Sequence, residues 1–333
     1  MPKSEPQFII PFAKPSGITS FTSLWQVKHT LGTKKVGHTG TLDSFADGLL
    51  VLLSGKLTKL VPYITDFDKT YRVLFYFGKE TDTLDPEGTV IGEKPLPVYA
   101  DVVSVIRQLT GTIEQVPPVY SAVKQAGERL SDRIRRGETV TVPPRTVTIY
   151  SIDIEEIFYA PEPDTNRENP EMSAVRKVLG AVLCVRCSKG TYIRSLVRDI
   201  AHRCGSAAYV YALRRTAVGP FTLEQAAGFS ALPPFGSAAA GMESVPYSVT
   251  EEEIKRVALP LSEEIARTMH FQTAELQEKY YPAFMNGKPI NRHWFTSAQP
   301  LSDDGTTAVF YEGRCAGLIT KNGSRFHYQI GNL

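Results

Sequence analysis

Three short segments bring together residue types that can do chemistry. Gly37-His38-Thr39-Gly40-Thr41-Leu42-Asp43 compresses two glycines, a histidine, two hydroxyls and a carboxylate into one stretch. Glycine lets a backbone approach a ligand closely or adopt positive φ, so His38 and Asp43 on such a loop mark a candidate active-site loop. The competing reading makes Asp43 the N-cap of a helix over residues 44–53. In Thr81-Asp82-Thr83-Leu84-Asp85-Pro86-Glu87-Gly88 the Asp-Pro-x-Gly run is turn chemistry in its own right, which favours a structural role. Lys189-Gly190-Thr191-Tyr192-Ile193-Arg194 places a tyrosine and an arginine in the first turn of a predicted helix, just after an apolar run. An arginine held there calls for a carboxylate or phosphate partner.

The elements that must position these groups follow from periodicity. Phe21, Leu24, Val27 and Leu31 lie on one helical face, with Ser20 as N-cap and Gly32 just past the end. Residues 71–77, 145–157 and 178–187 read as buried strands, and residues 191–203 return to helical spacing before Gly205. That last helix carries Arg194, Arg198 and His202 at four-residue intervals along one side. Residues 230–246, rich in Ala, Gly, Pro and Ser, read as a linker. An amphipathic helix is expected near Glu251 to Glu253, followed by short apolar runs broken by glycines, the pattern of a small β-rich domain. No repeat of 20–50 residues is present.

Charge along the chain is segregated. Residues 176–215 hold nine cations against the single anion Asp199, a net of +8 within a chain whose total is +2. Residues 124–145 add a net of +3 through Lys124, Arg129, Arg133, Arg135, Arg136 and Arg145. Such segregation is the footprint of a polyanion, most commonly a nucleic acid, or else of solvated helix faces. The 333 residues, 42% hydrophobic and 22% charged, suit two globular domains and exclude disordered or coiled-coil classes. The longest run of large aliphatics, Leu49 to Leu53, is too short to span a membrane, and four cysteines are too few for a disulfide framework, so a cytoplasmic location is expected.

Cofactor signatures are missing. Ser54-Gly55-Lys56 lacks the spacing and the hydroxyl of a phosphate loop, and no Gly-x-Gly-x-x-Gly follows a strand. Cys184 and Cys187 point to opposite faces of their predicted strand and have no second pair, so they read as core thiols. No cofactor and no metal are expected.

Taken together, the motifs resemble the TruB family, the tRNA pseudouridine-55 synthases. The matching segments run in order: 14–20, 37–43, 69–72, 81–88, 116–124, 188–195 and 213–216. The C-terminal ninety residues resemble only loosely the RNA-binding PUA-type barrel that often ends this family. The resemblance implies an α+β pseudouridine synthase fold: a large mixed, mostly antiparallel sheet flanked by helices over residues 1–245, and a small PUA-like β-barrel over 246–333. It makes Asp43 the essential carboxylate, attacking the base or C1′ or abstracting the C2′ proton. Arg194 would hold Asp43 ionised, Tyr71 would stack on the uracil and assist removal of the C5 proton, and Tyr192 and Leu213 would line the pocket, with Lys14 in its wall. His38 would fill the space left by the everted base. Lys124, Arg129, Arg135, Arg136, Arg214 and Arg215 would grip RNA phosphates, residues 124–147 as a mobile loop closing on the T-arm. The substrate would be tRNA, met by a monomer that needs neither a protein partner nor a membrane.

Two features depart from the family. It commonly continues Leu-Asp-Pro-Leu-Ala-Thr-Gly, whereas Ser44, Phe45 and Asp47 stand here in place of Pro, Leu and Thr. Loss of the proline is expected to loosen the loop, and Asp47 to add negative charge beside the site. Residues 159–171 look like an inserted polar loop. The altered loop keeps open a catalytically silent RNA-binding protein as a competitor, beside a guide-RNA-dependent synthase of the same superfamily.

Overall fold

The computed structural model describes residues 5–120, 124–125, 128–129, 136, 142–161, 175–236, 247–296, 301–303 and 305–333. In chain order the elements are β1 (Ile9–Lys14), α1 (Leu24–Leu31), β2 (Val36–His38), β3 (Asp47–Ser54), α2 (Val61–Thr65), β4 (Lys69–Phe77), β5 (Lys79–Thr81), β6 (Val90–Glu93), α3 (Tyr99–Gln108) and β7 (Gly111–Gln115). There follow β8 (Lys124–Gln125), β9 (Glu128–Arg129), β10 (Arg145–Tyr159), β11 (Val178–Cys187), α4 (Ile193–Arg203), β12 (Ala208–Val218) and β13 (Phe221–Thr222). The C-terminal part holds α5 (Glu251–Val257), α6 (Glu263–Thr268), β14 (Gln272–Leu276), α7 (Tyr281–Met285), β15 (Phe295–Thr296), β16 (Thr306–Tyr311), β17 (Arg314–Asn322) and β18 (Arg325–Gly331).

The main sheet runs β1-β3-β12-β4-β11-β10-β7, with β2 beside β3 and β13 beside β12. Every pairing is antiparallel except β3 with β12, so the large, mostly antiparallel sheet expected above is present. Residues Leu49 to Leu53 are all fully buried because β3 is covered on both faces, which is why they read as a continuous apolar run rather than an alternation. Leu49, Val51 and Leu53 pack with Phe271, Phe310, Leu318 and Ile330 of the C-terminal part. Leu50 and Leu52 pack instead with Leu24 and Val27 of α1 and with Val249 and Ile254. On the strands beyond, Val73, Phe75, Leu183, Val185 and Val210 pack against Ile193, Leu196, Val197 and Ile200 of α4. Arg215 pairs with both Gly48 and Tyr71, and directly paired residues project to the same side. α1 and α4 therefore stand on one face of the sheet, and the C-terminal part backs the other.

Several expectations are corrected. Residues 47–54 form a strand, not a helix, so Asp43 caps nothing. The helix predicted from Ser20 begins at Leu24, because the Ser20 hydroxyl is spent on Leu42. The C-terminal sheet runs β15-β14-β16-β17-β18 as an open path, so a closed barrel is not seen among the described residues. Beyond the boundary expected at 246, Val249 and Ile254 still join the α1 cluster, and Leu259 bridges Ile9. α5 forms where the acidic helix was expected, with a Thr250–Glu253 capping box. The linker is described as far as Gly236, and all but the first three residues of the 159–171 loop lie outside the described residues.

Candidate active site

Asp43 sits on the loop between β2 and β3, and its neighbours on both sides are pinned. The Ser20 hydroxyl donates to the Leu42 carbonyl at 3.0 Å and accepts from the Leu42 amide at 2.9 Å. The Gly17 amide donates to the Ser44 carbonyl at 2.8 Å. Lys14, fully buried at the end of β1, donates through Nζ to the carbonyls of Pro15 (2.9 Å), Ile18 (2.7 Å) and Ser44 (3.3 Å). Burial lowers its pKa to about 8, partly opposed by the nearby carboxylates of Asp47 and Asp43. The lysine thus acts as a clamp that ties the 14–18 turn to the Asp43 loop.

Arg194 enters from the first turn of α4. Its Nε lies 2.9 Å from Asp43 Oδ2, while its Nη1 meets Asp85 Oδ2 at 3.1 Å. The Nε contact is an ion pair without hydrogen-bond alignment, since that nitrogen makes no directed bond. Nη1 also donates to the Thr83 carbonyl (2.7 Å) and Nη2 to the Tyr120 carbonyl (3.1 Å). The Asp43 side chain is 37% exposed, whereas those of Arg194 and Asp85 are 5% and 6% exposed. One buried guanidinium therefore joins an inner carboxylate to an outer, reachable one. The Asp85 turn is fixed by Thr83 Oγ1 and the Glu87 amide, both donating to Oδ1. Desolvation is the largest influence on Asp85 and raises its pKa, against the opposing pull of Thr83 and Arg194.

Burial raises the phenol pKa of Tyr71, on β4, against the opposing charge of Arg215. His38 ends β2 with Nδ1 buried and unbonded. Burial, and then the charge of Arg215, lowers the pKa of this ring, which favours the neutral imidazole. Leu213, 6% exposed on β12, lines a cavity of about 100 Å³ with Ser16, Phe45, Asp47 and Phe235. Tyr192 is the N-cap of α4, and there Gln115 clamps the chain: its Oε1 accepts from the Tyr192 amide (2.8 Å) and its Nε2 donates to the Tyr192 carbonyl (3.2 Å).

Sequence reasoning missed two of these supports. In sequence Asp85 reads as turn chemistry, and it is that, but the same carboxylate is also the inner partner of Arg194. Gln115 stands just before the matched segment 116–124 and carried no signal of its own. Other residues do not go where the charge pattern placed them. Arg214 is buried in a bidentate pair with Asp47 (2.7 and 2.6 Å) and also donates to the Pro233 carbonyl. Arg215, 1% exposed, donates to the carbonyls of Leu49 (2.8 Å) and Gly40 (3.3 Å). Their guanidinium groups face inward, not toward a phosphate. Arg198 is bound to Asp199 and the Val116 carbonyl, and His202 meets Glu80 at 2.6 Å. Lys124 pairs with Arg129 in the short β8–β9 hairpin and Arg136 is exposed in a turn, while Arg135 and most of the 124–147 loop lie outside the described residues.

Residues 28–193 match the family model described as TruB family pseudouridylate synthase (N terminal domain). A protein of Treponema pallidum (strain Nichols), called tRNA pseudouridine synthase B, is 41% identical over 98% of this chain and 97% of its own length. Its namesake in Treponema denticola is 42% identical over 97% of this chain and 98% of its own length. The chain belongs to the TruB family of pseudouridylate synthases. The fold agrees: a chain in a solved structure described as "Crystal Structure of a Cbf5-Nop10-Gar1 Complex" superposes with a TM-score of 0.61 at 21% identity, covering 97% of this chain and 84% of that one.

Two of the three departures from the usual TruB loop, Ser44 and Asp47, are compensated. Ser44 replaces the proline, but its carbonyl is held by Gly17 and Lys14, and its hydroxyl donates to Glu87 at 3.0 Å, tying the Asp43 loop to the Asp85 turn. Asp47 adds no unbalanced charge, because Arg214 neutralises it. The parallel β3–β12 step beside it demands glycine: at Gly48 φ is +109°, and a Cβ would lie 2.4 Å from the Arg215 carbonyl oxygen.

Proposed function

We propose that the chain isomerises uridine 55 in the T-loop of tRNA to pseudouridine, with Asp43 as the essential carboxylate. Isomerisation is the activity of its family; the tRNA substrate follows the names of the Treponema relatives, and the T-loop position follows the resemblance of the motifs. The observation that carries the reading is the Asp43–Arg194–Asp85 chain of ion pairs, in which only the Asp43 end is exposed to a substrate.

The reaction breaks the N1–C1′ bond, turns the uracil, and forms a C5–C1′ bond; N1 gains a proton and C5 loses one, so no oxidant or reductant is consumed. Asp43 starts it by attack on the base or on C1′, or by removing the C2′ proton, each of which needs a carboxylate fixed against the sugar. Arg194 supplies that fixation from a site too buried for water to compete, and Lys14 holds the loop backbone. The Tyr71 ring offers a stacking face for the everted uracil. Neutral His38 suits the filling of a vacated base position. Eversion from a folded loop costs a few kcal/mol, and stacking on one aromatic returns about 1–3 kcal/mol. The exposed parts of the 124–147 loop and the C-terminal sheet are assigned to RNA contact, and a single chain is expected to act alone.

The test is release of tritium from tRNA transcript labelled at uridine C5, by purified protein without added cofactor and with chelator present. Release by the wild type, and none above background by Asp43→Asn at tRNA affinity within a few-fold of wild type, is the expected result. Turnover by Asp43→Asn would overturn the role of Asp43, and an idle wild type that binds tRNA tightly would leave an RNA-binding protein.

A further inference from the structure

The outward face of α1 carries a feature that the catalytic site leaves unused. Phe21, in the turn that leads into α1, and Trp25, in its first helical turn, are each 71% exposed, on a protein whose other tryptophan is buried. Lys28 Nζ lies 5.3 Å above the Phe21 ring, and His29 stacks on Trp25 with centroids 5.7 Å apart. The result is a continuous stripe in which rings alternate with cationic or ionisable groups. Exposed Lys34 and Lys35 follow it in the turn into β2. Of the carboxylates nearby, Glu251 faces His29 at 3.7 Å and Lys255 at 3.0 Å, and Glu5 accepts from Thr33.

The stripe is joined to the site. Phe21 follows Ser20, whose hydroxyl holds both main-chain groups of Leu42, the residue before Asp43. α1 also stands on the same sheet face as α4, with the Asp43 loop between them. Two large rings left in water are unusual on a surface with no other use for them. Rings interleaved with lysines are the combination that holds unpaired nucleotides, since every base has a face to stack and every linkage a charge to neutralise.

We propose that Phe21 and Trp25 are a stacking platform for unpaired bases of the substrate RNA next to the everted uridine, with Lys28 against the intervening phosphate. This rests on the tRNA reading above and adds to it a second contact surface. The platform holds the bases beside the target and not the target itself, so its loss weakens binding and leaves the chemical step intact.

The experiment measures binding of unmodified tRNA transcript and single-turnover tritium release at saturating protein, for wild type and for Phe21→Ala, Trp25→Ala, Trp25→Tyr and Trp25→Leu. Both positions are exposed, and matching thermal melts check that the variants fold. The expected result is a loss of affinity of about 10-fold for each alanine, recovery in Trp25→Tyr but not in Trp25→Leu, and an unchanged saturated rate. Quenching of Trp25 fluorescence by a T-arm stem-loop is expected as well. Affinities unchanged in all four variants, with wild type still binding and releasing tritium, would overturn the platform and leave the tRNA reading standing. A wild type that neither binds tRNA nor releases tritium would overturn both. Unchanged RNA affinity with loss of self-association in sedimentation would assign the stripe to a second copy of the chain.

Discussion

Arg214 offers a sharp choice between two roles, because the linear charge pattern assigns it to RNA and the fold assigns it to Asp47. The two side chains are only 10% and 13% exposed and share a bidentate contact. Removing one partner of such a pair leaves the other buried without compensation, which costs about 3–5 kcal/mol. The small residual exposure argues for the lower end, about 3 kcal/mol. In Arg214→Met that loss is expected as a melting temperature lower by about 6 °C, at roughly 2 °C per kcal/mol for a chain of this size. The double variant Asp47→Leu with Arg214→Met should recover most of it, since apolar pairs of similar volume often replace buried ion pairs without loss. RNA affinity, measured on folded protein, should keep its salt dependence. The assays are thermal and urea denaturation of the two variants beside wild type, and tRNA binding across a salt series. An unchanged melt for Arg214→Met together with a salt slope shallower by about one would refute the structural reading and restore Arg214 to the RNA surface.

Gly48→Ala should destabilise by more than about 3 kcal/mol in urea titration, from positive φ and overlap with the Arg215 backbone. Gly17→Ala, at φ +82° with open space around its Cβ, should cost only about 1 kcal/mol; equal costs would sink the steric account. Because the folded state lowers the Lys14 pKa to about 8 from 10.5, the unfolded chain binds more protons between those values, and the contribution of Lys14 to stability rises with pH across that window by at most about 3 kcal/mol. Urea titrations at pH 7.5 and 9.5 should therefore show wild type gaining relative to Lys14→Met, and a constant difference would count against the shift.

Much of this protein was legible before any tertiary contact was known. Periodicity placed β11 at residues 178–187, and it placed α4 and the C-terminal strands between glycine turns, because hydrophobic spacing is a property of neighbours in sequence. The ordered short motifs likewise singled out Asp43, Tyr71, Arg194 and Lys14 through a family resemblance, and the fold brings Arg194 against Asp43. What each residue touches was not legible. Asp85 looked like a turn because its turn bonds are local, while its pair with Arg194 spans 109 residues. Ser20 had the chemistry of a cap but bonds Leu42, 22 residues away. The sharpest difference lies in charge. Nine cations in 176–215 summed to a polyanion footprint along the chain, yet folding brings Asp43, Asp47, Asp66, Asp68 and Asp85 from other segments against Arg194, Arg214, Lys189 and Arg186. Local composition decides which side chains are present and which periods they follow, but electrostatic partners are chosen through space at a few ångströms, and only the packing of β3, β4, β12 and α4 brings those groups that close.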